Sequence, residues 1–145
     1  MDMVKRRKHG YLQALKDARI PIDRQLVVCD KIDFDVARNA TLHLLASENP
    51  PDAILAFNDI ITYAAFDAIK SMGKRIPDDV AIIGFTDGDT AAFVTPRLSA
   101  IMDQAGVQGV KACELLMRQI KGDTKIYKEI VPMILKIRES SEKNP

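Results

Sequence analysis

Two side chains in the first quarter of the chain have the chemistry to bind a hydroxylated ring molecule. Arg7 lies in the basic cluster of residues 5–8, and a guanidinium can donate a fork of hydrogen bonds to hydroxyls or carboxylates. Phe34 lies between two aspartates, where an aromatic ring could stack on a sugar or a base. Each also has a structural interpretation: Arg7 as a surface arginine on a solvated helix face, and Phe34 as a ring that folds back over the core.

The dipeptide Asn58-Asp59 lies where an apolar run ends and a helix-period segment begins. Asparagine at such a place can cap the helix by accepting hydrogen bonds from first-turn amides. The same place is the carboxyl end of a strand, and ligands of open parallel sheets bind in the crevice at those ends. Capping and ligand contact are compatible, so both interpretations of Asn58 stay open.

The apolar pattern indicates which elements would position these side chains. Helical spacing predicts helices over 5–18, from an N-cap at Asp35 to about 47, over 59–72 and over 104–121. Short apolar runs predict strands over 26–29, 53–57, 80–84 and 98–102, with one or two more around Pro132. This alternation predicts an α/β fold, a parallel sheet flanked by helices of the flavodoxin or Rossmann kind.

Length and charge restrict the class of protein. The chain has 145 residues, enough for one domain, and is 47% hydrophobic and 28% charged. With 21 basic and 20 acidic side chains its formal net charge is +1, whereas binding nucleic-acid phosphates needs a clear basic excess. No apolar run approaches the roughly 18 residues that span a bilayer, and no signal peptide is recognised, so a cytoplasmic protein is expected.

The sequence lacks the patterns that catalysis or a cofactor would require. Neither GxGxxG nor GxxxxGK[ST] occurs, so no nucleotide cofactor is expected. Cys29 and Cys113 lie in apolar surroundings without CxxC spacing, which predicts two buried free thiols and no metal site. His9 and His43 fit no nucleophile–base pattern, so neither catalytic residues nor an enzymatic activity is expected.

One long segment carries a family resemblance. Residues 51–87, PDAILAFNDIITYAAFDAIKSMGKRIPDDVAIIGFTD, resemble the second half of the effector-binding core of LacI/GalR-type bacterial transcription regulators. Further matches lie at Arg7 to Tyr11, Asp33-Phe34, Thr95 to Ser99, Gly109 and Leu135 to Ser141. The match therefore runs from about Arg7 to Ser141.

The resemblance implies a periplasmic-binding-protein-like lobe and assigns roles to individual residues. Arg7 matches an arginine that contacts the effector, and Phe34 matches the aromatic residue that stacks on a sugar or base ring. Asn58 matches a polar effector contact at a strand end.

The sequence departs from the family pattern at two positions. Thr86 stands where many relatives have an aspartate that binds hydroxyls or pairs with the arginine, and Asp87 beside it is a partial substitute. Asp103 stands where a glutamine is common. The expected effector-binding residues are Arg7, Phe34, Asn58, Thr86 and Asp87.

The resemblance also implies missing parts, since members of this family begin with a helix-turn-helix headpiece, a hinge and a first lobe. Residues 1–103 are expected to form the carboxyl-terminal effector-binding lobe, incomplete at its amino-terminal side. Residues 104–145 are expected to form the crossover helix and terminal strands of the same core. The chain would then be a fragment of a ligand-responsive repressor that binds a sugar or similar effector, forms a homodimer and reaches DNA only through the missing headpiece.

The alternative is one lobe of a periplasmic sugar-binding transport protein, which shares the two-lobed fold. A signal peptide encoded upstream would favour transport, and a helix-turn-helix would favour regulation.

Overall fold

Helices and strands alternate along the part of the chain that the structure, a computed structural model, describes: residues 2–86 and 89–142. The helices are α1 (Asp2–Asp17), α2 (Phe34–Leu45), α3 (Asp59–Ser71) and α4 (Ala105–Ile120). The strands are β1 (Ala53–Ala56), β2 (Ala81–Phe85), β3 (Ser99–Met102) and β4 (Ile134–Lys136), and short 3₁₀ turns occupy Arg24–Leu26 and Asp89–Ala92. The predicted α/β class is confirmed.

The strands form one mixed sheet in the order β1-β2-β3-β4. The β1–β2 and β2–β3 pairs are parallel, as predicted, whereas β4 runs antiparallel to β3. The alternating tail therefore adds an antiparallel edge strand to the predicted parallel sheet. Because carboxyl ends of parallel strands meet at one edge, residues 57–59, 86 and 103 follow three adjacent strands there.

Helix α3 packs against β1 and β2 and supplies much of the core. The buried cluster is apolar throughout and consists of Leu45, Ala65, Phe66, Ile69, Val80, Ile82, Ala91, Leu98 and Ala100. Gly84 lets α3 approach β2 closely, because a Cβ at that position would lie 2.2 Å from Thr62 Oγ1. The close approach fixes the start of α3, and with it Asn58, relative to the end of β2.

The buried strand predicted over 26–29 is wrong. The chain makes a 3₁₀ turn at Arg24–Leu26 and continues without a strand, and Val28 and Cys29 are exposed. A cavity of about 270 Å³ lies between this segment, α1, α2 and β1, so no ladder forms with β1. The apolar run is only four residues long, too few for its period to separate a paired strand from an extended loop.

Two further expectations need correction. The N-cap of α2 is Asp33, not Asp35, because the Asp33 carboxylate accepts a hydrogen bond from Val36 N at 3.0 Å. Both cysteines are exposed rather than buried. Cys29 belongs to the unpaired segment, and Cys113 lies on α4, which buries no residue.

Helix α4 forms where the sequence predicts a helix, but its apolar residues stay exposed. The apolar residues of its periodic pattern are each between 45% and 67% exposed: Val107, Val110, Leu116, Met117 and Ile120. The chain returns to the lobe only afterwards, where the fully buried Ser140 accepts a hydrogen bond from Ser99 N and donates one to Ile82 O. In the described part of the chain, no helix has the length and apolar character needed to cross a membrane.

Candidate ligand-binding site

Arg7 connects α1 with the carboxyl edge of the sheet. Its guanidinium donates a hydrogen bond to the carbonyl of Phe57, which follows β1. The guanidinium carbon lies 3.9 Å from the ring centroid of Phe85, the last residue of β2, and 4.9 Å from that of Phe57. Both distances suit cation–π contacts, so one side chain joins the ends of two neighbouring strands.

Asp103, the residue that follows β3, acts on Arg7 through the charge of its carboxylate. Burial lowers the pKa of Arg7, and the nearby Asp103 carboxylate opposes that shift by raising it. An arginine remains charged under either influence. Since Asp103 directly follows β3, Arg7 interacts with the ends of β1, β2 and β3 together. Within the basic cluster of residues 5–8, Arg7 is half-buried and the other three are exposed, so Arg7 is not a surface arginine on a fully solvated helix face.

Buried polar atoms without a hydrogen-bond partner gather at the same edge. Within the described residues they include Asp59 Oδ1, Thr86 Oγ1 and Asp103 Oδ1, one after each parallel strand. Tyr63 Oη is a fourth such atom, one helical turn beyond Asp59. Buried polar groups are normally paired, so unpaired ones that coincide at a strand edge indicate a surface suited to a polar ligand.

Asn58 serves as a helix cap, as predicted. Its side-chain oxygen accepts a hydrogen bond from Ile61 N at 3.0 Å and closes the first turn of α3. The cap uses the oxygen, so the amide nitrogen is the group through which Asn58 could meet a ligand. Arg7 and Asn58 are close in space, because Arg7 binds the carbonyl of the residue before Asn58.

Phe34 begins α2 and is 42% exposed, so it does not fold back into the core. The segment 46–52 joins α2 to the start of β1, so the beginning of α2 lies towards the carboxyl side of the sheet. The 270 Å³ cavity that Arg7 lines is also lined by Ile32 but, among the described residues, not by Phe34. Arg7 therefore contacts Phe57 and Phe85, the residues just before Asn58 and Thr86, and Phe34 lies on the same side of the lobe. Asp87 lies outside the described residues.

Four residues of this cluster were not among the expected effector contacts: Phe57, Asp59, Phe85 and Asp103. Phe57, Asp59 and Asp103 fall within three residues after a strand, and Phe85 ends one. Their position at the ends of strands could have identified them as site residues, because side chains at the carboxyl ends of parallel strands share one edge of the sheet. The contact of Arg7 with both aromatic rings had no signal in the sequence, since α1 lies about 50 residues away from Phe57.

Comparison with known proteins establishes the family. Residues 3–141 match the periplasmic binding protein-like domain, and the chain belongs to this family. Its relatives show that the chain is an effector-binding region of the LacI type.

The relatives include repressors and solved regulator structures. The chain is 35% identical over 135 residues to the probable HTH-type transcriptional repressor ExuR of Bacillus subtilis (strain 168), covering 92% of the chain and 40% of the repressor. A LacI-family regulatory protein from Chloroflexus aggregans is 34% identical with a TM-score of 0.85, covering 94% of this chain and 50% of that one.

A third relative was solved as a complex of the transcriptional regulator CelR with cellobiose. It is 28% identical with a TM-score of 0.82, and the match covers 93% of this chain and 42% of that one. The chain thus spans half or less of the length of these three proteins.

Proposed function

We propose that this chain is the effector-binding and dimerisation lobe of a ligand-responsive bacterial transcription regulator, cytoplasmic and without enzymatic activity. The effector, a sugar or similar small molecule, would bind at the carboxyl edge of the sheet through Arg7, Asn58, Thr86 and Asp87, with Phe34 against its ring. The observation that carries the proposal is that Arg7 draws three strand ends together beside unpaired polar atoms.

The relatives favour regulation over transport. Several are named as transcriptional repressors, among them the Bacillus protein, and none of the three described above is named as a transport component. The cellobiose complex supports a sugar as the class of effector, since that regulator shares the fold.

The unburied helix α4 supports a two-lobed protein. Residues 1–103 would form the carboxyl-terminal effector lobe, and 104–145 the crossover helix and terminal strands that pack on a first lobe supplied by the rest of the protein. A helix-turn-helix headpiece there would bind DNA. An effector that binds the closed arrangement of the lobes more tightly would shift the population towards it and change the separation of the headpieces of a homodimer.

Calorimetry tests the proposal. A panel of sugars should bind this chain too weakly for calorimetry to detect, because one lobe supplies only half of the contacts. Measurable heats should appear when the longer protein that contains the chain is used. Arg7→Ala should abolish those heats, whereas Lys5→Ala, an exposed change two residues away, should leave them unchanged. Micromolar binding by the lobe alone, or equal binding by the Arg7 variant, would contradict the proposal.

A further inference from the structure

The strand-end site carries an excess of negative charge. Within the described residues, Asp59 follows β1, Asp103 follows β3, and Arg7 is the basic side chain in contact with this edge. Two carboxylates against one guanidinium leave the described part of the site with a net negative charge. A ligand that brought a further carboxylate or phosphate would meet like charges there.

The unpaired atoms of the site need hydrogen-bond donors. Asp59 Oδ1 and Asp103 Oδ1 are carboxylate oxygens, and carboxylate oxygens accept hydrogen bonds from a ligand's donors. Thr86 Oγ1 can both accept and donate, and Thr86 is only 3% exposed with that oxygen unpartnered. A molecule with several hydroxyl groups supplies the missing donors, whereas a carboxylate or phosphate oxygen supplies none.

Arg7 is already committed to protein contacts. One of its terminal nitrogens donates to Phe57 O, and its guanidinium carbon lies 3.9 Å from the Phe85 ring centroid. The Asp103 carboxylate lies close enough to influence its pKa. These contacts engage part of the Arg7 guanidinium, so it has fewer N–H groups left to form a bidentate fork with an anionic ligand.

We propose that Asp103 is a specificity-determining residue, which makes this edge select neutral, hydroxyl-rich ring molecules over their carboxylated or phosphorylated analogues. This inference rests on the proposed function, since it names the chemical class of the effector that the same site binds.

The test compares neutral sugars with anionic partners of matched shape. The probes are glucose with glucuronate, galactose with galacturonate, and ribose with ribose 5-phosphate, each titrated to tens of millimolar into the ¹⁵N-labelled chain. Amide chemical shifts of Asp59, Thr86 and Asp103 report binding at the edge, and weak binding is measurable this way. At least one neutral sugar should shift these amides, with an affinity about tenfold or more above that of its anionic partner.

Asp103→Asn separates specificity from folding. Asparagine keeps the shape and removes the charge, so the affinity for the neutral sugar should fall about tenfold, because a hydrogen bond to a charged acceptor becomes a weaker one to a neutral acceptor. The preference over the anionic partner should shrink at the same time. Asp52→Asn is the matched control, because Asp52 precedes β1 at the opposite edge of the sheet and should leave the preference unchanged.

The outcomes separate the inference from the function on which it rests. Shifts at the three amides that are as large or larger with the anionic partner would overturn the inference and leave the proposed site standing. An Asp103→Asn variant with unchanged preference would overturn the role of Asp103. No shift at these amides with any probe would overturn both, since the edge would then bind no sugar.

Discussion

Asp79 holds the turn between α3 and β2 through its contacts with Arg75. Its carboxylate accepts hydrogen bonds from Arg75 N at 2.7 Å, Nε at 3.2 Å and Nη2 at 3.0 Å. The side-chain bond with Arg75, then the backbone bond, lower the pKa of Asp79 to about 2, against an ordinary 3.8. A carboxyl whose pKa is lower in the folded state stabilises the fold above its unfolded pKa and loses that contribution as pH falls.

Asp79→Asn is therefore expected to lower the melting temperature at pH 7 and to matter little near pH 2. The difference from the parent chain should shrink between about pH 4 and 2, as Asp79 is protonated in the parent. Scanning calorimetry at pH 7, 4, 3 and 2 measures this. Asp78→Asn is the control, since Asp78 meets Arg75 only in a single exposed ion pair at 3.3 Å. A constant difference at every pH would show that the carboxylate charge is not involved.

Individual site residues could be predicted only where the sequence pattern identified the end of a strand or the start of a helix. Asn58 stood at a strand-to-helix junction, and its capping bond is confirmed. Asp103 attracted notice only as a departure from a family pattern, although it follows a strand as directly as Thr86 does. Its influence on Arg7 arises from a charge interaction between distant parts of the chain, and no local spacing encodes such an interaction.

At the scale of elements, the packing of α3 on β2 depends on the absence of a side chain at Gly84. An added Cβ would lie 2.2 Å from Thr62 Oγ1 and 2.4 Å from its Cγ2. Thr62 is fully buried and its hydroxyl is bonded to Asn58 O at 2.6 Å, so it has little freedom to move. This contact links the core to the strand-end site, because Asn58 begins α3.

Gly84→Ala should lower the free energy of unfolding by about 1–3 kcal/mol, the usual cost of overpacking a core. Gly10→Ala is the matched control, since nothing lies within 4 Å of a Cβ there and Gly10 is inside α1. That control should stabilise the chain by roughly 0.5–1 kcal/mol, because alanine favours a helix more than glycine does. Urea denaturation measures both variants, and equal stability of Gly84→Ala and the parent would refute the tight contact.

Elements were predictable where an apolar pattern was long and bounded by turns. The strand–helix–strand unit over 53–85 and the helix α4 were located within about two residues of their observed limits. The segment 26–29 was not, because a four-residue apolar run does not reveal whether a neighbour pairs with it. For α4, periodicity predicted an apolar face correctly but could not show what covers it.

At the scale of the whole molecule, exposed apolar side chains are concentrated in one segment, which runs from the end of β3 at Met102 to the start of β4 at Ile134. Helix α4 exposes Val110, Leu116 and Ile120, and the connection to β4 exposes Ile126 and Ile130. Exposed apolar surface on this scale is typical of a region that another protein surface covers. In the two-lobed protein proposed above, a first lobe would cover them.

The chain alone should consequently self-associate. Light scattering after gel filtration should give a mass above the 16.1 kDa of one chain, rising with concentration. Leu116→Glu combined with Ile120→Glu should restore that mass, because charges on the patch oppose its burial. Ile22→Glu, an exposed apolar residue outside α4, should leave association unchanged. A monodisperse monomer at high concentration would contradict the expectation.

The pairing of β3 with β4 constrains how anything carried by α4 can move. The segment that contains α4 leaves the sheet after Met102 and rejoins it at Ile134, and these two residues are directly paired. A two-stranded ribbon resists twisting far more than a single linker does. A protein part attached to α4 should therefore rotate towards and away from the strand edge about one hinge axis, without rotating freely about the connection. Such a hinge motion would open and close the space over the strand-end residues.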